Sequence, residues 1–527
     1  MNQEFRNSKS NTPNRRGSLL LVVLVTIVIL SLTAYTFTAL MQTEEEAARL
    51  MTLRVQSKYL VDSGLDYTRL FLSQSEATIR EKGGRWDNED VFRAIPVAIS
   101  TSNPNRIGYF SIITSNIDED GVPDGDRFGL IDESSKINLN TLPYSEALFP
   151  GSARNILMAL PDMTEEIADS ILDWLDADDE LSDYGNENEY YTSLSPPYEC
   201  KNGPMDSLDE LLLIRGITPA LLFGLDLNRN GLLDPEEAAT SDISISESEM
   251  FLGWANYLTL YSNESNLTGE GLTRINVNAD DLEQLYDDLK SAFNDEWANY
   301  IIYYRCASAE PSTEPPPEGV VPQNAAILPP DFSVLESNRK LNTSVDLCFA
   351  NVDVSEFDLE NLNSFIASPI QPLTMGFSMP TMMASLTTFE GAVIPGRVNI
   401  MQAPRRVLLG IPGLSEDQVD QIISARGDDY ELDDPDGADM NRKYETWIMV
   451  EGIVDLATMK SLMSFVCTGG DVYRAEITGY FADGAGTSRA EVVLDTTVEI
   501  PRVLFWRDKS HLSRGFSIDA LGTQIIE

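Results

Sequence analysis

Residues 226–237, DLNRNGLLDPEE, carry oxygen donors at the spacing of a calcium-binding loop. Asp226 takes the first place, Asn228 and Asn230 the third and fifth, and Leu232 offers its main-chain carbonyl at the seventh. Asp234 stands ninth and Glu237 twelfth, where a bidentate carboxylate closes the shell, while Gly231 at the sixth place permits the sharp turn. Asp234–Pro235 also suits the cap of an exit helix. An acidic turn can fit this pattern by chance, but Gly at six together with Glu at twelve favours calcium.

Two weaker cation candidates follow. NIDEDGVPDGD places Asn116, Asp118, Asp120, Gly121 and Asp124 at the corresponding spacing, but Arg127 stands where the closing carboxylate belongs. Asp126 or Glu133 would have to substitute, and a solvated hairpin turn is an equal reading. In DWLDADDELSDYGNENEYY, Asp176, Asp178, Asp179, Glu187 and Glu189 could converge on a cation, although an acidic run is more often a solvated face.

Enzyme chemistry is poorly supplied. The single histidine, His511, lies in DKSHLS and reads as a solvated loop residue, and neither a GxxxxGK[ST] phosphate loop nor an HExxH metal helix occurs. The formal charge of −47, from 37 basic and 84 acidic residues, repels nucleic acid and favours cations. With 527 residues, 43% hydrophobic and 23% charged, the chain is globular in balance and long enough for three or four domains. Cys200, Cys306, Cys348 and Cys467 show no CxxC spacing, so a zinc site is disfavoured and three disulfide pairings stay open.

The elements that must position these groups begin with an apolar run. Residues 18–41 contain no charge and would form a helix of roughly 36 Å, enough to cross a hydrocarbon core of about 30 Å. Arg6, Lys9, Arg15 and Arg16 precede it against Glu4 alone, and Glu44, Glu45 and Glu46 follow, so the positive-inside bias keeps the N-terminus cytoplasmic and exports the rest. The run is too long for a signal peptide, and Gly17 sits on its cytoplasmic edge. This N-terminus resembles that of type IV prepilins, which implies cleavage between Gly17 and Ser18 and methylation of the new terminus. The fifth mature position, usually Glu in pilins, is Val22.

The helical pattern continues to a stop expected at Gly83–Gly84. Alternation predicts strands at 106–114, 472–481, 488–498 and 503–506, with ADGAG joining the second and third as a hairpin. Between them the chain is mainly helical, so a helical body is inserted into a split β domain. KINLNTLP at 136, RINVNADD at 274 and RVNIMQAP at 397 share a basic residue, an I/V-N step and a helix start, and read as repeated units. LPDMTEEIADSILDWL and IPGLSEDQVDQIISAR resemble helix-hairpin-helix or SAM-like modules. Such hairpins often hold DNA phosphates, and Arg405, Arg406 and Arg426 flank IPGL, so a membrane-anchored DNA receptor or minor pilin of a type IV pilus or DNA-uptake system is the alternative reading. The chain's charge opposes it.

DESSKINLNTL, ILDWLDADDE with YGNENEYY and SPPYECKNGPMDSLDELLLIRGIT, and RVNIMQAPRRVLLGIPGLS together resemble the minor pseudopilin K family of type II (general) secretion systems. The resemblance implies an α+β fold: a pilin-like long helix with an antiparallel sheet, and a large inserted SAM-like helical region. It also implies bound calcium and a role as a non-enzymatic tip subunit that initiates pseudopilus assembly. The implied partners are minor pseudopilins I and J, the major pseudopilin, prepilin peptidase and inner-membrane lipid, with the C-terminal domain in the periplasm. Val22 agrees, since K proteins lack the usual glutamate. The expected division is a leader at 1–17, the N-terminal helix at 18–84 and the first β part at 85–135. A first helical domain at 136–270 and a repeat unit at 271–308 follow, then a Pro-rich linker at 309–330, a second helical domain at 331–465 and the closing hairpin at 466–527.

Overall fold

The computed structural model describes residues 16–97, 107–118, 123–232, 234, 235, 237, 252–327, 329–357, 365–427, 438–482, 484 and 486–522; at 16–18, 123, 124 and 438–440 the backbone alone is described. The first element is a 57-residue helix, α1 (Arg16–Leu72). Its N-terminal half is apolar and exposed on every side, with a window of mean hydropathy 2.6. A helix apolar all round and out of the protein core suits a lipid environment. The hydroxyls of Thr26, Thr33 and Thr38 donate to carbonyls three or four residues back at 2.8 Å, which lowers their cost in hydrocarbon.

The helix stops at Leu72 rather than at Gly83–Gly84. Ser75 restarts it as α2 (Glu76–Glu81), its hydroxyl accepting from the Thr78 amide, so the continuous helix ends about three turns early. Beyond residue 57, Val61, Phe71 and Leu72 of α1 are buried against a sheet of β1 (Ile95–Val97), β2 (Gly108–Ile112), β3 (Ile131–Asp132), β4 (Val472–Phe481), β5 (Ser488–Asp495) and β6 (Arg502–Asp508). The order is β1-β2-β4-β5-β6, antiparallel, with β3 also paired to β4. This is the pilin-like arrangement of long helix and antiparallel sheet.

Period-2 alternation gives the sheet two unlike faces. Tyr473, Ala475, Ile477, Ala490, Val492 and Leu494 join the core under α1. Arg474, Glu476, Arg489 and Glu491 occupy the alternate positions, and every residue of β5 is buried, so the charged face is covered as well. Helix and sheet approach closely at Gly479, where a Cβ would stand 2.5 Å from the Ser57 carbonyl oxygen. The expected strand at 106–114 divides: Thr114–Ile117 leaves the sheet to pair with Pro123–Arg127. β5 ends at Asp495 because its carboxylate accepts from the Thr497 amide at 2.8 Å and turns the chain.

The inserted body runs from Asp132 to Tyr473 and contains the three echoed segments in equivalent settings. Ile137–Asn138 pairs in parallel with Leu258–Thr259, Ile275–Asn276 with Leu386–Thr387, and Val398–Asn399 with Val466–Cys467. In each, the Asn side chain accepts from the amide two residues on, at 3.1, 2.9 and 2.9 Å. The second unit therefore spans both sides of 309–330. That Pro-rich stretch, expected as a linker, is packed inside the unit: Ser312 bridges Asn351, Gln323 bridges Ile366, and Asn299 donates to the Ala325 carbonyl at 2.8 Å. Proline removes a donor but leaves carbonyls and neighbouring amides free to pair. One hydrophobic core runs through all three units, and the four cysteines are buried and unbonded.

Candidate metal centre

The 226–237 loop follows a short helix, Pro219–Phe223, and is seated on the charged face of the sheet. Lys509 Nζ donates to the Arg229 carbonyl at 2.6 Å, Arg489 to the Asn228 carbonyl, and Asn230 Nδ2 to the Gly515 carbonyl at 2.5 Å. Leu232 packs against the helix–sheet core. Within the loop, Asp226 accepts from the amides of Asn230 and Gly231 at 3.0 and 2.7 Å. Gly231 has φ +79°, and a Cβ there would meet Ser115 Oγ, so glycine is required twice over.

Glu237 closes the loop, its oxygens accepting from the amides of Leu227, Asn228 and Asp234 at 2.9, 3.2 and 3.0 Å. The side-chain Nδ2 groups of Asn228 and Asn230 both donate to Asp234 Oδ2, at 2.6 and 3.3 Å. Five of the candidate side chains thus share one small volume, and Asn228 Oδ1 is buried there without a partner. Burial, followed by the Glu237 charge, pushes the Asp226 carboxyl up to about 6. An all-oxygen set with surplus negative charge suits a hard divalent cation.

The hairpin 114–127 lies beside this loop. Burial and then the Asp234 charge raise the Asp126 carboxyl, which places the two loops within electrostatic reach. Asn116 and Asp118 are on the first strand of the hairpin and at its end. Asp120 is outside the described residues, as is the side chain of Asp124, so this candidate set cannot be assembled here. Arg127 is buried and stacks on Trp86, at 3.5 Å from the ring centre.

The third group is more compact than its sequence suggests. The helix Glu165–Leu175 buries Asp173 and delivers Asp176 just past its end, facing Glu187. Asp173 Oδ2, Asp176 Oδ1 and both oxygens of Glu187 are buried without hydrogen-bond partners. Burial, then Asp173, Asp176 and Asp179, push Glu187 up to about 7; burial, then Asp178 and Asp173, push Asp176 up to about 6. Asp179 instead accepts from Asn188 and Asn202 at 3.2 and 2.9 Å, while Asp178 and Glu189 are exposed. Asp173 is the member that sequence reasoning missed; its position three residues before Asp176, in the last turn of the helix that Asp176 caps, is the signal that could have found it. Among the described residues no three acidic, thiol or imidazole groups already stand at metal-binding separation, so in either place the carboxylates would have to draw together around a cation.

The arginines of the IPGL hairpin are engaged within the protein. Arg405 pairs with Glu416 and Asp420 at 2.7 and 2.9 Å, and Arg426 is buried, donating to the Ala403 carbonyl at 2.7 Å. Neither offers a free cation to a phosphate.

A protein-family profile described as Type II secretion system (T2SS), protein K matches residues 135–226. The Type II secretion system protein K of Aeromonas hydrophila is 34% identical over a match covering 19% of this chain and 35% of the relative. The match thus spans about a third of that relative's length. The solved GspK-GspI-GspJ complex from the Type 2 Secretion System of enterotoxigenic Escherichia coli aligns over 89% of this chain and 98% of that one, at 11% identity and a TM-score of 0.34. The Asp173, Asp176 and Glu187 group lies inside the matched segment; of the 226–237 loop only Asp226 does.

Proposed function

We propose, from the resemblance of residues 135–226 to the type II secretion system protein K family, that this chain is the minor pseudopilin that caps the pseudopilus and helps to start its assembly. The observation that carries this reading is where the inserted body joins the sheet. Along β4, Tyr473 lies under Arg85, beyond the end of α1, Ile477 meets Gly64, and Gly479 meets Ser57 and Leu60, toward the apolar half. Asp132 and Tyr473, the two ends of the insertion, are therefore at the end of the sheet distant from the membrane helix. A bulky body there blocks further subunits from stacking above it, as a cap does.

Val22 supports the same reading. In pilins the fifth-position glutamate is thought to pair with a neighbour's N-terminal ammonium in the apolar bundle, where an unpaired charge is expensive. Valine cannot make that pair, and a terminal subunit has less need of it. The subunit would be cut by prepilin peptidase, anchored by one span in the inner membrane with its C-terminal domain in the periplasm, and joined to pseudopilins I, J and the major pseudopilin. It would act structurally, without catalysis. Calcium would be held by Asp226, Asn228, Asn230, Leu232, Asp234 and Glu237, and by the Asp173, Asp176 and Glu187 group, neutralising carboxylates that otherwise repel.

Co-purification with I and J and immunogold labelling of pseudopili test the proposal. Label confined to filament tips is the expected result, and label along the filament length overturns it. The DNA-receptor alternative predicts salt-sensitive duplex binding lost on neutralising Arg405, Arg406 and Arg426; the internal pairing of Arg405 and the carbonyl contacts of Arg426 argue against it.

A further inference from the structure

Between the charged face of the sheet and the inserted body lies a cavity of about 770 Å³. Its size is that of an ordinary small-molecule site. In a chain of formal charge −47 its lining carries more basic than acidic residues: Lys136, Arg229, Arg426, Arg474, Arg507 and Lys509 are among the basic ones, and Asp118, Asp226, Glu476 and Glu491 are the acids.

Of these acids, Asp226 accepts backbone amides of its own loop, and Glu476 and Glu491, with Glu133 behind the lining, are engaged by basic side chains. Glu133 holds Arg474 through two hydrogen bonds of 2.7 and 2.9 Å. Glu476 pairs with Arg489 at 2.9 Å and Lys509 at 2.7 Å, and Glu491 pairs with Arg474 and, at 3.6 Å, with Lys509. Lys136 is the fourth cation of this group, beside Arg474, Arg489 and Lys509. It is 7% exposed and lines the cavity. Among the described residues its side chain makes no hydrogen bond and no ion pair, and burial followed by the Arg474 charge, against the opposing Glu133 charge, pushes its ammonium down to about 7.

The third repeated unit shows what this position can receive. Lys136 and Arg397 are the basic residues that open the first and third repeated units. Arg397, equally buried, is held by Glu264 and, at 2.7 Å, by Glu445. Lys136 has the cation and the burial, but the acid within its electrostatic reach, Glu133, is held by Arg474. An unpaired buried charge is costly, and an anion that enters beside it removes most of that cost.

We propose that this cavity binds a small oxyanion, a carboxylate or phosphate group, with Lys136 as its primary partner. The ligand supplies the counter-charge that Glu264 and Glu445 supply to Arg397. The site joins residues of the sheet to residues of the inserted body, so its occupancy ties the two parts together.

The full-length chain in detergent, free of calcium and at constant ionic strength, is titrated separately with acetate and with inorganic phosphate while its thermal unfolding is followed. At an anion concentration a hundredfold above Kd, Tm rises saturably by about 3 °C. The K136M variant loses the shift, and K136R retains it. Because K136M removes an unpaired buried charge, it is expected to fold. A shift of equal size in K136M, or the absence of a saturable shift in the parent, overturns the proposal. A shift that arises only after Asp428, Asp429, Glu431, Asp433, Asp434 and Asp436 are neutralised also overturns it, since the chain's own acids would then fill the site.

Discussion

Asp132 and Tyr473 are directly paired across β3 and β4, although the whole inserted body lies between them in sequence. The insertion therefore leaves and re-enters the sheet at one point. Asp132 is also buried, accepting from the Gly470 amide and Asn399 Nδ2, both at 2.8 Å, so one carboxylate ties the exit and re-entry strands to the third unit.

Processing gives the first prediction. The mature protein begins at Ser18, as N-terminal sequencing will read, and Gly17→Val leaves the leader attached. A terminus beyond the apolar run would mean ordinary signal cleavage, and an intact Met1 a plain anchor.

Calcium binding gives the second. Calorimetric titration of the parent shows two classes of site; Glu237→Ala removes one, and Glu187→Gln combined with Asp173→Asn removes the other. Calcium raises Tm in proportion to the sites remaining, because it binds the folded chain selectively. Unchanged stoichiometry in both variants would place the metal elsewhere.

The third concerns pH. Glu187 ordinarily ionises near 4.5 and Asp176 near 3.8, but in the fold they are raised to about 7 and about 6. The folded state then holds protons that the unfolded chain has released, so without calcium these groups make stability fall as pH rises from about 4 through about 7. Glu187→Gln flattens that slope relative to the parent. Saturating calcium reverses it, since calcium binds the ionised carboxylates. A slope in Glu187→Gln equal to the parent's would show that these groups do not titrate as argued.

Helix docking supplies the fourth. Gly479→Ala drives a methyl toward the Ser57 carbonyl and Leu60 Cβ, at 2.5 and 2.8 Å, and should destabilise the protein by about 1–3 kcal/mol in chemical denaturation. A loss below about 0.5 kcal/mol would mean that α1 can move off the sheet freely.

The sequence alone determined the features that depend on local period and spacing. The uncharged run at 18–41, the alternation of β4, and the thrice-repeated basic-I/V-N step are each visible within a dozen residues, because helix burial, strand pleat and side-chain turns are set by neighbours along the chain. The loop from Asp226 to Glu237 was legible for the same reason. Only the tertiary structure decided which charges meet. Arg474 and Glu133, Lys509 and Glu476, and the unmatched Lys136 come together because strands far apart in sequence share one face. Likewise the placement of 309–330 inside the second unit rests on Gln323 meeting Ile366, a pairing that proline content could not announce. Burial sets the energy of each of these contacts, and burial is a property of the packed chain: in water a lysine or a glutamate needs no partner, and inside the fold its partner decides its charge.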